Sequence, residues 1–229
     1  MMTLRIEVVA IDSLMVRLFD RIDEANMPWV LAASQRLSAA FGKHLVDLVP
    51  SYTTLMLQSD LPPRQARALI GQALTGLQAD TGNTGQRHEI PVWYDVSVGP
   101  ELPVLAARTG LSEAEVIRLH SQREYPVFAL GFAPGFGFMG LVDERLASPR
   151  LSTPRKRVAA GSVGIAERQT AAYPAVSPGG WNLIGRTAVR LFDREREGYS
   201  LLQPGDRVRF VAVSRAEFMA LGGDVERQA

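Results

Sequence analysis

Apolar and other residues alternate over positions 4–9 and again over 13–19, with 10–12 between them as a short connection. A period of two turns one face of each run toward a core, so the pair predicts a β-hairpin. The period then lengthens. Val30, Ala33, Leu37 and Phe41 recur at helical spacing, with Pro28 in the first turn and Gly42 just past the end, which predicts a helix over 28–41. Two further strands are expected at 45–49 and 52–57, around Pro50-Ser51. Ala66, Leu69, Ile70, Ala73, Leu74 and Leu77 lie on one helical face and predict a second helix over 63–77. The order up to this point is ββαββα.

Residues 80–85 read Asp-Thr-Gly-Asn-Thr-Gly, the most turn-like run in the chain, and a domain boundary is expected there, giving 1–84 and 85–229. A strand is expected at 89–94. A helical insertion near 101–121 follows, with one helix around 103–109 and another opened by Ser112 and Glu115, a spacing that lets both side chains satisfy free N–H groups. Short apolar runs at 125–130, 161–166, 169–173, 181–184, 188–192 and 207–213 are separated by Gly and Pro, as in a closed barrel or a sandwich. Ser214 and Glu217 start a closing helix.

Candidate chemistry concentrates between Phe128 and Trp181. Gly131, Gly135, Gly137 and Gly140, with Pro134, give residues 131–140 the character of a loop, since glycine admits close approach and positive φ. Phe132, Phe136 and Phe138 interrupt it, and apolar area of that size calls for a cover, which points to a partner protein. Pro178-Gly179-Gly180-Trp181 pairs open backbone with a large ring, the construction of a pocket wall or equally of a tight turn ahead of a core tryptophan. Between these loops lie Arg150, Arg155 and Arg157, which fit a clamp for a carboxylate or phosphate and also fit a solvated face. Gln169 and Thr170 offer neutral hydrogen bonds that can read an amide, or simply begin a strand. Ser162 lacks the Gly-x-Ser-x-Gly elbow and fits a turn whose hydroxyl bonds the backbone. His120, in the last turn of its helix, is the best titratable candidate, because a helix C-terminus favours the imidazolium. A helix cap is its structural alternative.

Composition narrows the classes. A net charge of +1 creates no field to recruit nucleic acid or an anionic membrane. Cysteine is absent, which removes thiolate chemistry and sulfur-ligated metals and fits a reducing compartment. Arg5, Glu7 and Asp12 interrupt the N-terminal apolar residues, so no signal core is expected and the cytoplasm is the default. Residues 125–142 carry no charge but hold four glycines and two prolines, so strand and loop are expected rather than a membrane span. There is no nucleotide loop of the Gly-x-x-x-x-Gly-Lys type and no His-Glu-x-x-His helix, and His44, His88 and His120 lie far apart. No metal is expected in this chain.

The succession Gly-Phe-x-Pro-Gly-Phe, Ala-Gly-Ser-Val-Gly-Ile-Ala, Gln-Thr, Tyr-Pro, Ser-Pro-Gly-Gly-Trp-x-Leu-Ile-Gly-Arg-Thr and Leu-x-Pro-Gly-Asp-x-Val-x-Phe, across residues 90–213, resembles the family of 5-oxoprolinase B subunits, which includes allophanate hydrolase subunit 1 and the kinase inhibitor KipI. The chain departs from it at 134–140, reading Pro-Gly-Phe-Gly-Phe-Met-Gly where the family commonly has Pro-Gly-Phe-Pro-Tyr-Leu-Gly. The resemblance implies an α+β protein: a small N-terminal ferredoxin-like domain followed by a cyclophilin-like β-barrel. It also implies membership of an ATP-dependent 5-oxoprolinase, opening 5-oxo-L-proline to L-glutamate with the A and C subunits as partners. ATP would be used by the complex and handled mainly on those partners. Two other functions come with the family: inhibition of a sensor histidine kinase, and half of a biotin-dependent carboxyltransferase site.

Overall fold

A computed structural model describes residues 3–82 and 85–225. The chain divides into two compact units, Met1–Gly85 and Gln86–Ala229. Asn83 and Thr84, within the expected connection, lie outside the described residues.

The first unit runs β1 (Arg5–Ala10), β2 (Ser13–Arg17), α1 (Met27–Phe41), β3 (Leu45–Ser51), β4 (Thr54–Ser59) and α2 (Pro63–Ala73). Its sheet is antiparallel, in the order β1-β2-β4-β3. Leu14 pairs with Leu57 and Val16 with Leu55. The period of two turns all four onto one face, where they are buried with Val30, Leu37 and Phe41 of α1 and Ala66 and Ile70 of α2. The second helix ends at Ala73, short of the expected Leu77. The chain turns through Gly76 at φ +60°, yet Leu74 and Leu77 remain buried. Core-facing residues in that turn therefore prolong the helical pattern beyond the helix.

The second unit contains β5 (Arg87–Val92), α3 (Leu102–Thr109), α4 (Glu113–Ser121), β6 (Glu124–Leu130), β7 (Gly137–Gly140), β8 (Arg155–Val158), β9 (Ser162–Ala166), β10 (Gln169–Ala172), β11 (Ser177–Gly179), β12 (Asn182–Arg186), β13 (Arg207–Ala212) and α5 (Arg215–Ala220). Seven strands form one sheet in the order β12-β9-β10-β7-β6-β13-β5. Its two ends approach each other where Trp93, just past β5, and Arg186 exchange two backbone hydrogen bonds of 2.9 Å, giving a nearly closed barrel. Strands β8 and β11 form a separate two-stranded ribbon. Ile90, Val127, Met139, Ile165 and Phe210 are among the residues that fill the interior.

Several local expectations change. Ser214 and Glu217 form the reciprocal cap on α5, but on α4 the Ser112 hydroxyl accepts from the Glu115 amide while the Glu115 carboxylate takes the Arg118 guanidinium. Residues 188–192 form no strand and contribute one bridge, Phe192 to Ser200. Residues 137–140, expected as loop, are strand β7. A Cβ on Gly137 would come within 3.0 Å of Leu202, and one on Gly140 within 3.1 Å of the Arg168 carbonyl. These glycines admit close neighbours inside a sheet rather than mark a loop. Among the described residues no helix is long and apolar enough to cross a membrane.

Candidate functional site

The turn between β6 and β7 is closed by backbone bonds from Gly131 to the Phe136 carbonyl (3.1 Å) and from Phe136 to the Ala133 carbonyl (3.0 Å). Gly135, at φ +81°, lies where a Cβ would stand 2.8 Å from that of Phe192, so no larger residue fits. Phe132 also has positive φ, +70°. For a non-glycine residue this costs about 1–2 kcal/mol, and here it holds out a ring that is 63% exposed.

Behind that ring is a cavity of about 300 Å³, at the small end of ligand sites. Phe136 is its floor: its ring lies edge-on to Phe132 (5.2 Å), Tyr173 (5.3 Å), Trp181 (5.7 Å) and Phe138 (4.9 Å). These offset geometries suit the aromatic quadrupole. The opposite wall is the backbone of Pro178-Gly179-Gly180, with Arg150, Leu151 and Pro154 beside it. Gly179 packs against the Tyr173 ring so closely that a Cβ would fall 2.3 Å from the hydroxyl oxygen. Burial pushes that hydroxyl's pKa up, with opposing pulls from a Trp181 backbone hydrogen bond and from Arg155 and Arg150.

A brace stands behind the tryptophan. Arg155 pairs with Glu101 and donates to the Trp181 carbonyl at 3.2 Å. The second Glu101 oxygen accepts from the Leu183 amide at 2.9 Å.

The predicted site residues separate into those at this cavity and those elsewhere. Phe132, Phe136, Arg150, Pro178, Gly179, Gly180 and Trp181 line it. Arg155 supports its wall. Arg157 is exposed on β8, Pro134 is exposed, and Gly135 is buried in the turn; none of the three lines the cavity. Ser162 is fully buried, and its hydroxyl has no partner among the described residues. Gln169 opens β10 opposite Ala166 and Gly140. Thr170 is buried, and its hydroxyl meets His120 Nε2 at 2.8 Å.

His120 itself is fully buried, with Nδ1 2.7 Å from the Tyr94 hydroxyl and its ring stacked on Phe210. Desolvation lowers its pKa to about 3, so the charge expected from the helix end is absent at neutral pH, and the group is a neutral, doubly hydrogen-bonded part of the interior. Sequence reasoning gave no role to Tyr173 or Glu101. The Tyr-Pro pair was visible as a motif, but nothing in the sequence marks Glu101.

Five rings and one guanidinium can hold a small amphiphile with a negative end, or an apolar side chain of another polypeptide. Among the described lining residues there is no carboxylate, histidine, serine or lysine, the side chains that most often act as nucleophile or general base near neutral pH.

The chain belongs to the family described as carboxyltransferase domain, subdomain C and D, which matches residues 4–202. The B subunit of 5-oxoprolinase from Bacillus subtilis (strain 168) is 36% identical over 96% of this chain and 98% of that protein. The B subunit of 5-oxoprolinase from Escherichia coli O157:H7 is 54% identical over 54% of this chain and 56% of that protein. The crystal structure of TTHA0988 matches with a TM-score of 0.77 at 41% identity, over 88% of this chain and 40% of that one. Urea carboxylase of Kluyveromyces lactis matches with a TM-score of 0.76 at 15% identity, over 95% of this chain and 22% of that one, a likeness of fold alone.

Proposed function

We propose that this chain is the recognition component of an ATP-dependent 5-oxoprolinase, acting with the A and C subunits to open 5-oxo-L-proline to L-glutamate. The observation that carries the reading is the 36% identity to a 5-oxoprolinase B subunit along nearly the whole length of both chains. The site is consistent with it. A five-membered lactam with one carboxylate matches an aromatic cavity whose one cation among the described residues is Arg150. Opening an amide also needs activation and a nucleophile, neither of which the lining supplies, so both fall to the partner chains, and the exposed Phe132 lies where such a chain would close the cavity. On this reading Arg150, Phe136 and Trp181 contact substrate or partner, and ATP is bound outside this chain. The two units are read as domains, with the boundary along the chain near residue 85. The first is a ferredoxin-like sandwich with its last strand moved to the front, which reproduces the order β1-β2-β4-β3, and the second is a cyclophilin-like barrel.

The test is ATP-dependent glutamate release from 5-oxoproline by the reconstituted complex, with and without this chain. Activity should require it; an unchanged rate in its absence would reject the assignment.

A further inference from the structure

A second and larger cavity, about 560 Å³, shares no lining residue with the aromatic one. It lies between the end of β12, the segment 187–195 and the α5 region. Arg186, the arginine of the Gly-Arg-Thr motif, lines it and is 3% exposed. Its backbone closes the barrel against Trp93; its side chain has no part in that closure. Nη1 donates to the Asp224 carbonyl at 3.0 Å. Among the described residues Nε is buried with no partner, and Nη2 makes no hydrogen bond. The Nε–Nη2 edge is the side of a guanidinium that donates two parallel hydrogen bonds to the oxygens of one anion. A buried cation with that edge vacant is costly unless something occupies it; burial opposes its charge, and the Asp224 carboxylate only partly offsets that.

The rest of the lining restricts the occupant. Arg190 and Arg194 add positive charge, but Asp193, Glu195 and Asp224 line the same cavity, and Arg190 is paired with Asp193 at 3.2 Å. Among the described residues, three acids against three arginines leave no net field to attract a dianion. Val189, Phe192 and Phe218 give the cavity an apolar side. We propose that this cavity binds a small monocarboxylate, its two oxygens held by the Nε–Nη2 edge of Arg186 and its hydrocarbon part against the apolar side.

The experiment is a titration of the full chain with sodium acetate, sodium phosphate and sodium chloride at matched ionic strength, read from arginine Nε–Hε correlations in ¹⁵N NMR. The Arg186 signal is assigned by its loss in Arg186→Lys, or by through-bond connection to its own backbone if that variant does not fold. Acetate should move this signal along a saturating curve that chloride does not reproduce. Ala160→Trp, a substitution at an exposed position on the rim of the same cavity, should weaken acetate binding by about tenfold or more. A linear response, an equal response to chloride, tighter binding of phosphate than acetate, or indifference to the rim substitution would each overturn the proposal. The aromatic cavity and 5-oxoproline do not enter this readout, so its failure leaves the 5-oxoprolinase reading untouched.

Discussion

Arg150 and His120 show how placement decides what a polar side chain does. Arg150 is the only cation on the aromatic cavity among the described residues, and it is exposed at the mouth, where a guanidinium can grip a carboxylate without losing all its water. Arg150→Ala should therefore raise KM of the reconstituted enzyme for 5-oxoproline by about tenfold, the equivalent of one charge-assisted contact, with kcat little changed. Arg150→Lys should recover only part of this, because an ammonium lacks the bidentate fork. His120 is the opposite case, a titratable group that burial keeps neutral. Its pKa is about 3 in the folded chain against 6.5 for the free side chain. Between those values the unfolded chain binds the additional proton, so the stability associated with neutral His120 is fully present above pH 6.5 and is lost as pH falls toward 3, a loss of order a few kcal/mol. Substituting His120→Gln removes the titration and preserves polar partners for Tyr94 and Thr170. Thermal melts from pH 7 to pH 3.5 should show a shallower decline for the variant than for the parent chain; parallel curves would contradict the burial.

At the level of elements, the brace from the start of α3 to the ribbon is the part of the site furthest from anything visible in the sequence. Glu101 joins Arg155 on β8 to the Leu183 amide on β12, and Arg155 in turn holds the Trp181 carbonyl. Glu101→Ala would leave a half-buried guanidinium and a backbone N–H without their partner, a loss of about 2–4 kcal/mol. Urea unfolding should report that loss, and glutamate release by the reconstituted enzyme should fall with it as the tryptophan wall loosens. The first hairpin, α1 and the capping of α5 were legible because their signals are local: a period of two, a period of 3.6, a serine three residues before a glutamate. The second hairpin turns at Tyr52-Thr53, because Pro50 and Ser51, expected as its connection, pair with Leu55 and Thr54 inside the sheet. Strands β7, β8 and β11 were not legible. They are short and include three glycines, a proline and two arginines, and what makes them strands is pairing with segments distant in sequence, such as Gly140 opposite Gln169 and Ser177 opposite Val158. The aromatics and Pro178 to Trp181 were identifiable as site material from their chemistry. That Arg155 would pair with Glu101 and the Trp181 carbonyl while Arg157 stays in solvent depends on neighbours that only the folded chain brings together.

Across the whole molecule, the first unit keeps its own apolar core, and every residue lining the aromatic cavity belongs to the second unit. The feature of that unit best suited to a partner chain is Phe132, where an exposed ring and a left-handed backbone coincide. Folding alone does not account for this arrangement, since glycine would adopt the same φ without strain. Phe132→Gly relieves about 1 kcal/mol of backbone strain and gives up a similar amount in ring contacts with Phe136 and Tyr173. The isolated chain should therefore melt within a few degrees of the parent. If the ring is instead an anchor in the assembled enzyme, the same substitution should weaken binding to the partner chain by about 2 kcal/mol, some thirtyfold. Melting of the free chain and titration of the partner onto an immobilised chain separate the two contributions. Equal loss in both would mean that Phe132 serves the fold, whereas loss confined to assembly identifies the mouth of the cavity as the surface another chain covers.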